Sequence, residues 1–324
     1  MIYLDNAATT WPKPSCVREA VRQALELYGA NPGRGGHAMG MAASQEIYRC
    51  RETAARFFHL ENPAHVVFTL NCTMALNMVL KGLLCEGGHI VVSSLEHNAV
   101  MRPLKALSAG APVYSVATVV PENPEETVRN FRRCITPQTK ALLCIHASNV
   151  FGCRLPIRRI GEMAHRLGLL FIVDAAQSAG VLPVDMEADH IDYLCVPGHK
   201  GLYGPMGTGM LLCGPDTPLP TLMEGGTGSQ SLLLDQPEEL PDRLESGTVN
   251  TPGTVSYTHL DVYKRQAPRC GGYPCNRRDR NRIHRPRNNR KIQHPCTKTD
   301  GWPASHRQEG RIGLRRAFQR SSIP

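Results

Sequence analysis

"VPGHKGLYGPMGTG" (residues 196–209) sets a single lysine, Lys200, directly after a histidine and inside a glycine-rich turn. Apolar strand patterns flank it, "DYLCV" before and "GMLLC" after. A lone loop lysine is ordinarily a solvated surface charge. The neighbouring segments change that reading. Working back from Lys200, "LLFIVD", "ALLCIH", "HIVVSS" and "HVVFTL" are short runs rich in Val, Ile and Leu, separated by helical patterns such as "IRRIGEMAHRLG", "AVMRPLKAL" and "TMALNMVLKGLL". Strands that are apolar throughout are buried on both faces, as in a mainly parallel sheet covered by helices. The alternation predicts an α/β layered fold. Upstream, "PSCVREAVRQALELYG" places Val17, Val21 and Leu25 on one helical face, with Ser15 as N-cap and Gly29 as stop. "SQEIYRCRETAARFF" repeats the pattern through Ile47, Ala54 and Phe57 or Phe58.

Open α/β sheets bind ligands outside the carboxyl ends of their strands. Five such ends are followed in turn by "NCTMALN", "LEHNAV", "HASNVFG", "AAQSAG" and "PGHKGLYG". They present Thr73, His97, Asn149, Asp174 with Gln177, and His199 with Lys200. In a parallel sheet these sets converge on one crevice. The chain has neither a GxxxxGK[ST] phosphate loop nor a GxGxxG after its first strand. GxSxG and HExxH are absent, and no paired Cys/His ligands point to a metal.

The set matches the needs of pyridoxal 5'-phosphate: a lysine to condense with its aldehyde, an acid facing its pyridine nitrogen, and donors for its phosphate. Burial disfavours the charged form of an amine, which makes a buried lysine nucleophilic. Lys200 fills that place and Asp174 is the acid. Gln177, expected one turn into the next helix, donates to the phenolic oxygen. The amino end of the "TMALNMVL" helix, with the Thr73 hydroxyl, receives the phosphate. His97 stacks on the ring and shuttles a proton.

In family order, "YLDNAATT" (3–10), "NPGRGGHAMG" (31–40), "NCTMALN", "SLEHNAV", "HASNVFG", "FIVDAAQSAG", "GHKGLYGPMGTG" and "LESGTVNTPG" (244–253) run across residues 2 to about 254. With these motifs the chain resembles the class V aminotransferase-fold enzymes, close to the cysteine desulfurases and selenocysteine lyases. The resemblance implies a PLP-dependent transferase fold of type I and a cytoplasmic homodimer that passes sulfur from cysteine to an acceptor protein. It implies Lys200 and His97 as catalytic residues, with Asp174 on the ring nitrogen and Gln177 on the ring oxygen. The Cys72 backbone, Thr73 and His199 are then on the phosphate, and Asn149 lies near the ring oxygen and substrate carboxylate. Thr227, in "MEGGTGS", is implied to reach the partner subunit's phosphate. Pro197 stands where many relatives carry a hydroxyl two residues before the histidine, so one phosphate contact is missing. The same large domain serves true aminotransferases, selenocysteine lyases and other β-eliminating lyases. The sulfur-accepting cysteine and carboxylate-binding arginine of the desulfurases lie in the family's last third, which has no motif counterpart here.

Composition sets a further boundary. Of the formal net charge of +9, residues 267–324 carry 15 Lys plus Arg against 3 Asp plus Glu, while residues 1–266 carry 22 against 25. A basic arm of this kind suggests nucleic-acid binding. The alternative, preferred here, is a non-native tail. "SYTHLDVYKRQ" (256–266) resembles the translated end of a transposon used in DNA-library preparation, and the codons of 291–302 admit a helix-like reading one base later. The expected organisation is a cofactor-binding large domain over 1–255, an adapter-like 256–266 and a frame-shifted, disordered 267–324. Much of the small domain is then missing, and neither nucleic acid nor membrane is a partner. The twelve cysteines show no CxxC pair, and most of those before residue 260 sit in apolar runs, which fits reduced thiols. No run of 18 apolar residues exists.

Overall fold

The computed structural model describes residues 2–259 apart from residues 34, 35, 109, 111, 216, 218 and 231. The basic stretch 267–324, with the disorder and nucleic-acid expectations attached to it, lies outside the described residues, as does the adapter-like string beyond residue 259. In chain order the elements are α1 (Ser15–Leu27), α2 (Ala38–Phe58), β1 (Val66–Thr69), α3 (Cys72–Leu84), β2 (His89–Ser93), α4 (Asn98–Leu107) and β3 (Tyr114–Ala117). They continue with α5 (Pro124–Arg133), β4 (Thr139–Ile145), α6 (Ile157–Arg166), β5 (Leu170–Asp174), β6 (Tyr193–Pro197), β7 (Gly209–Cys213) and α7 (Thr251–Val255). Short 3-10 turns cover Pro63–His65 and Ser256–His259.

The seven strands form one sheet in the order β1-β7-β6-β5-β4-β2-β3. Neighbours from β3 to β6 pair in parallel, and β7 is antiparallel to both β6 and β1. Six strands therefore share one direction. β7 reverses because residues 198–208, which join it to β6, are too short a link for a helical crossover. The Lys200 turn is that link.

Alternate strand residues feed two cores. Val91, Leu142, Phe171, Val173 and Leu194 pack under α2, α5 and α6, while Ile90, Leu143, Ile172 and Cys195 pack under α3 and α4. Helices thus cover both faces, as the apolar strands predict.

Three local expectations are corrected. Ser15 is the first helical residue, not the cap; Pro14 flanks the helix and no side chain caps it. The buried stripe of α1 is Val17, Ala20 and Ala24, and Leu25 is 66% exposed. α1 packs against α7 and the turn beyond it. No helix follows Asp174: residues 175–182 form hydrogen-bonded turns, and Gly180 at φ 73° redirects the chain. Helix α2 also begins six residues before the quoted pattern, capped by the His37 ring on Gly40 N–H. β3 and α5 were not among the expected elements. β3 is a four-residue, partly exposed edge strand, and α5 buries only Thr127 and Phe131.

Candidate active site

The expected crevice lies at the carboxyl ends of the parallel strands. Thr73, His97, Asn149, Asp174, Gln177, His199 and Lys200 line one cleft, about 530 Å³ including its opening to solvent, together with Cys72, Asn71 and Pro197.

Asp174 ends β5 with its carboxyl buried, 1% exposed. Its Oδ1 accepts from Ala176 N–H at 2.8 Å and from the Cys72 thiol at 3.5 Å. Burial pushes its pKa up, opposed by these two donors and by the charges of His97 and Lys200. Asn71 caps α3 by accepting from Met74 N–H at 2.9 Å, which leaves the N–H groups of Cys72 and Thr73 free of intrahelical partners at the cleft edge. His97 caps α4, its Nδ1 accepting from Ala99 N–H at 3.0 Å. That bond fixes the tautomer, with any proton of the neutral ring on Nε2. His199 is half-buried; its Nδ1 is buried without a hydrogen-bond partner among the described residues. Burial and then the charges of Lys200 and Lys13 lower its pKa.

Tight packing shapes the lysine turn. A Cβ on Gly198 would fall 1.6 Å from the Tyr257 hydroxyl and 2.3 Å from Thr208 Oγ1. Tyr257 itself donates to Thr208 Oγ1 and is buried. The packing of the lysine turn therefore includes Tyr257.

Two features went unread in the sequence. Residues of "YLDNAATT", with Lys13 just beyond it, hold the lysine turn. Thr9 Oγ1 (3.0 Å), Thr10 N (3.1 Å), Thr10 Oγ1 (3.1 Å) and Lys13 Nζ (2.9 Å) all reach the His199 carbonyl, and Thr10 Oγ1 also reaches that of Lys200. Gln177 Nε2 donates to Ala7 O at 3.2 Å, so one amide hydrogen is already used. Behind His97, Glu96 Oε1 accepts from the Ser93 hydroxyl and from Ile145 N–H at 2.8 Å, tying β2 to β4. Burial, reinforced by Asp174, pushes the Glu96 carboxyl up to about 8 against the Ser93 bond. No spacing signal marks either feature.

Thr227 is not in this cleft. It lies in a separate glycine-rich recess with Asn31, Gly33 and Gly228, its hydroxyl near Ser229. Within one chain it does not meet Lys200.

The family model "Aminotransferase class-V" matches residues 2–263. The chain belongs to the class V aminotransferase family. A Methanothermobacter thermautotrophicus protein described as "Probable cysteine desulfurase" is 34% identical over 268 residues, which is 78% of this chain and 64% of that protein. Less than two thirds of that relative's length is therefore spanned. The apo cysteine desulfurase of Thermococcus onnurineus NA1 superposes with TM-score 0.73 at 29% identity, covering 82% of this chain and 67% of that one. SspA in complex with cysteine gives TM-score 0.70 at 29% identity, with 81% and 73% covered. This class V family depends on pyridoxal phosphate, and its fold is the type I transferase fold.

The residues present fit that group. The cleft offers a buried acid at the end of β5, a half-buried lysine, an unpartnered buried ring nitrogen on His199 and a capped helix end with free N–H groups. No helix among the described residues is long and apolar enough to cross a membrane.

Proposed function

We propose that the intact protein is a pyridoxal-phosphate-dependent cysteine desulfurase, converting cysteine to alanine and leaving the sulfur as an enzyme persulfide. What supports this most is the meeting of Lys200, Asp174, His97 and Gln177 with the amino end of α3 in one cleft, in a chain similar to proteins described as cysteine desulfurases. Bound there, the cofactor supplies an aldehyde that links to amines and a ring that takes up the electron pair of a carbanion.

The chain's own residues do the rest in this reading. Lys200 offers its amine to the aldehyde and later carries a proton at the substrate. Asp174 holds the proton on the ring nitrogen. His97 stacks and exchanges a proton through Nε2. Gln177 uses its second amide hydrogen for the ring oxygen. Cys72 and Thr73 N–H, the Thr73 hydroxyl and His199 bind the phosphate, and Asn149 serves the ring oxygen and substrate carboxylate. Thr227 reaches the phosphate of the partner subunit in a homodimer. Reduced, buried thiols such as Cys144 and Cys195 fit a cytoplasmic protein, and a sulfur-acceptor protein is its expected partner.

Among the described residues the only cysteine lining the cleft is Cys72, whose thiol burial keeps protonated. The sulfur-accepting cysteine is therefore sought elsewhere. The competing activities are transamination, selenocysteine lysis and other β-eliminations. Resequencing codons 250–270 and assaying the resulting full frame decides among them. Persulfide and alanine from cysteine are expected; keto acid formed with an amino acceptor and without sulfur release rejects the desulfurase reading.

A further inference from the structure

Asp174 is held by a residue that no backbone argument requires. Cys72 opens α3 as its first helical residue, and its sulfur lies 3.5 Å from Asp174 Oδ1. The sulfur is firmly placed. Asn71, just before it, caps the helix, and its carbonyl accepts from Thr69 Oγ1 at 3.0 Å. Gly209 of β7 closes on the same backbone: a Cβ there would fall 2.8 Å from the Asn71 carbonyl carbon. The helix start therefore cannot shift toward β7, and the thiol stays against the acid.

Both donors to Asp174, Ala176 N–H and the Cys72 thiol, fall on Oδ1. No hydrogen bond from the described residues reaches Oδ2, which is left for a group in the cleft. A buried carboxylate needs such donors to remain ionised, because desolvation disfavours its charged form. The thiol can only donate here: burial, and then the charge of Asp174, push its pKa well above the ordinary value.

We infer that Cys72 is a positioning residue for Asp174, its S–H fixing Oδ1 so that an ionised Oδ2 meets the pyridine nitrogen of the cofactor. The inference rests on the cofactor reading above and deepens it. A thiol is a weak donor, but a bond to a charged acceptor in a dry site is worth about tenfold in an equilibrium. Without that bond Asp174 becomes more basic and draws the shared proton away from the ring.

The test uses the full chain, with Cys72→Ala and Cys72→Ser. In the apoprotein, the infrared S–H stretch removed by Cys72→Ala is expected below the frequency of a free thiol; a free-thiol band overturns the contact itself. With ring-labelled pyridoxal phosphate bound, the pyridine ¹⁵N resonance is expected to move toward neutral pyridine in Cys72→Ala and to return toward wild type in Cys72→Ser, with kcat of the full-frame enzyme down about tenfold and KM little changed. An unchanged ¹⁵N position in Cys72→Ala overturns the coupling. A wild-type chain that binds no cofactor sinks the cofactor reading, and with it the ring-nitrogen part of the inference, while the infrared band still decides the Cys72–Asp174 contact.

Discussion

The two ends of the sheet are built from the same strands, yet they differ in kind. At the carboxyl ends a cleft of about 530 Å³ gathers a buried acid, an amine, two histidines and a helix amino end. At the amino ends a wider cleft, about 1800 Å³, is lined by Lys140, Arg243, Glu86 and Glu238 among others. There Lys140 Nζ donates to Leu83 O at 3.0 Å, and charges of both signs stand in solvent. Volume therefore does not mark the working end. Strand direction does, because it decides which side chains and helix amino ends project past the sheet, and burial then makes their interactions strong.

Several measurements can break or sharpen that contrast. Lys200→Ala should abolish borohydride-dependent fixation of pyridoxal phosphate, read by mass spectrometry of the protein; retained fixation at another lysine would move the chemistry away from this cleft. Next in size is a buried ion pair outside the cleft. Arg51 and Glu245 form a buried ion pair at 2.6 Å, and Glu245 also accepts from Phe68 N–H at 2.5 Å. Arg51→Met strands the Glu245 charge and should cost about 3–5 kcal/mol in urea unfolding.

A pH-dependent effect follows from Glu96. Its carboxyl is held up to about 8, so the folded state keeps a proton that the unfolded chain releases above its ordinary value near 4.5. Stability from this group therefore falls as pH rises through that window and is constant above it. Relative to Glu96→Gln, the wild type should lose up to about 1.4 kcal/mol per pH unit there. Parallel stability profiles for the two proteins would show that Glu96 ionises normally. The smallest effect belongs to the other end: Lys140→Ala and Arg243→Ala should each shift stability by no more than about 0.5 kcal/mol and leave cofactor fixation intact. A loss of fixation there would erase the contrast.

Much of the cleft is legible in the sequence alone, and for a physical reason. Apolar strands followed at once by polar residues leave little choice of where the polar groups go, so Thr73, His97, Asn149, Asp174, His199 and Lys200 could be placed together. Residues whose position depends on packing between distant segments could not. β3 is an edge strand without an apolar run, and α5 is half charged, with only Thr127 and Phe131 buried. Leu25 reads as a core residue, yet it is exposed while Ala20 and Ala24 are buried. Gln177 reads as helical until Gly180 turns the chain.

By itself the sequence determined the layered α/β fold, the family and the residues at the strand ends, because hydrophobic period and strand-end chemistry are local. Only the tertiary structure decided that Thr9, Thr10 and Lys13 grip the lysine turn from some 190 residues away, that Glu96 braces two strands behind His97, and that a thiol rests on Asp174. It also set Thr227 apart in its own recess. These contacts join segments far apart in the chain, and no period or spacing along it records which of them will meet.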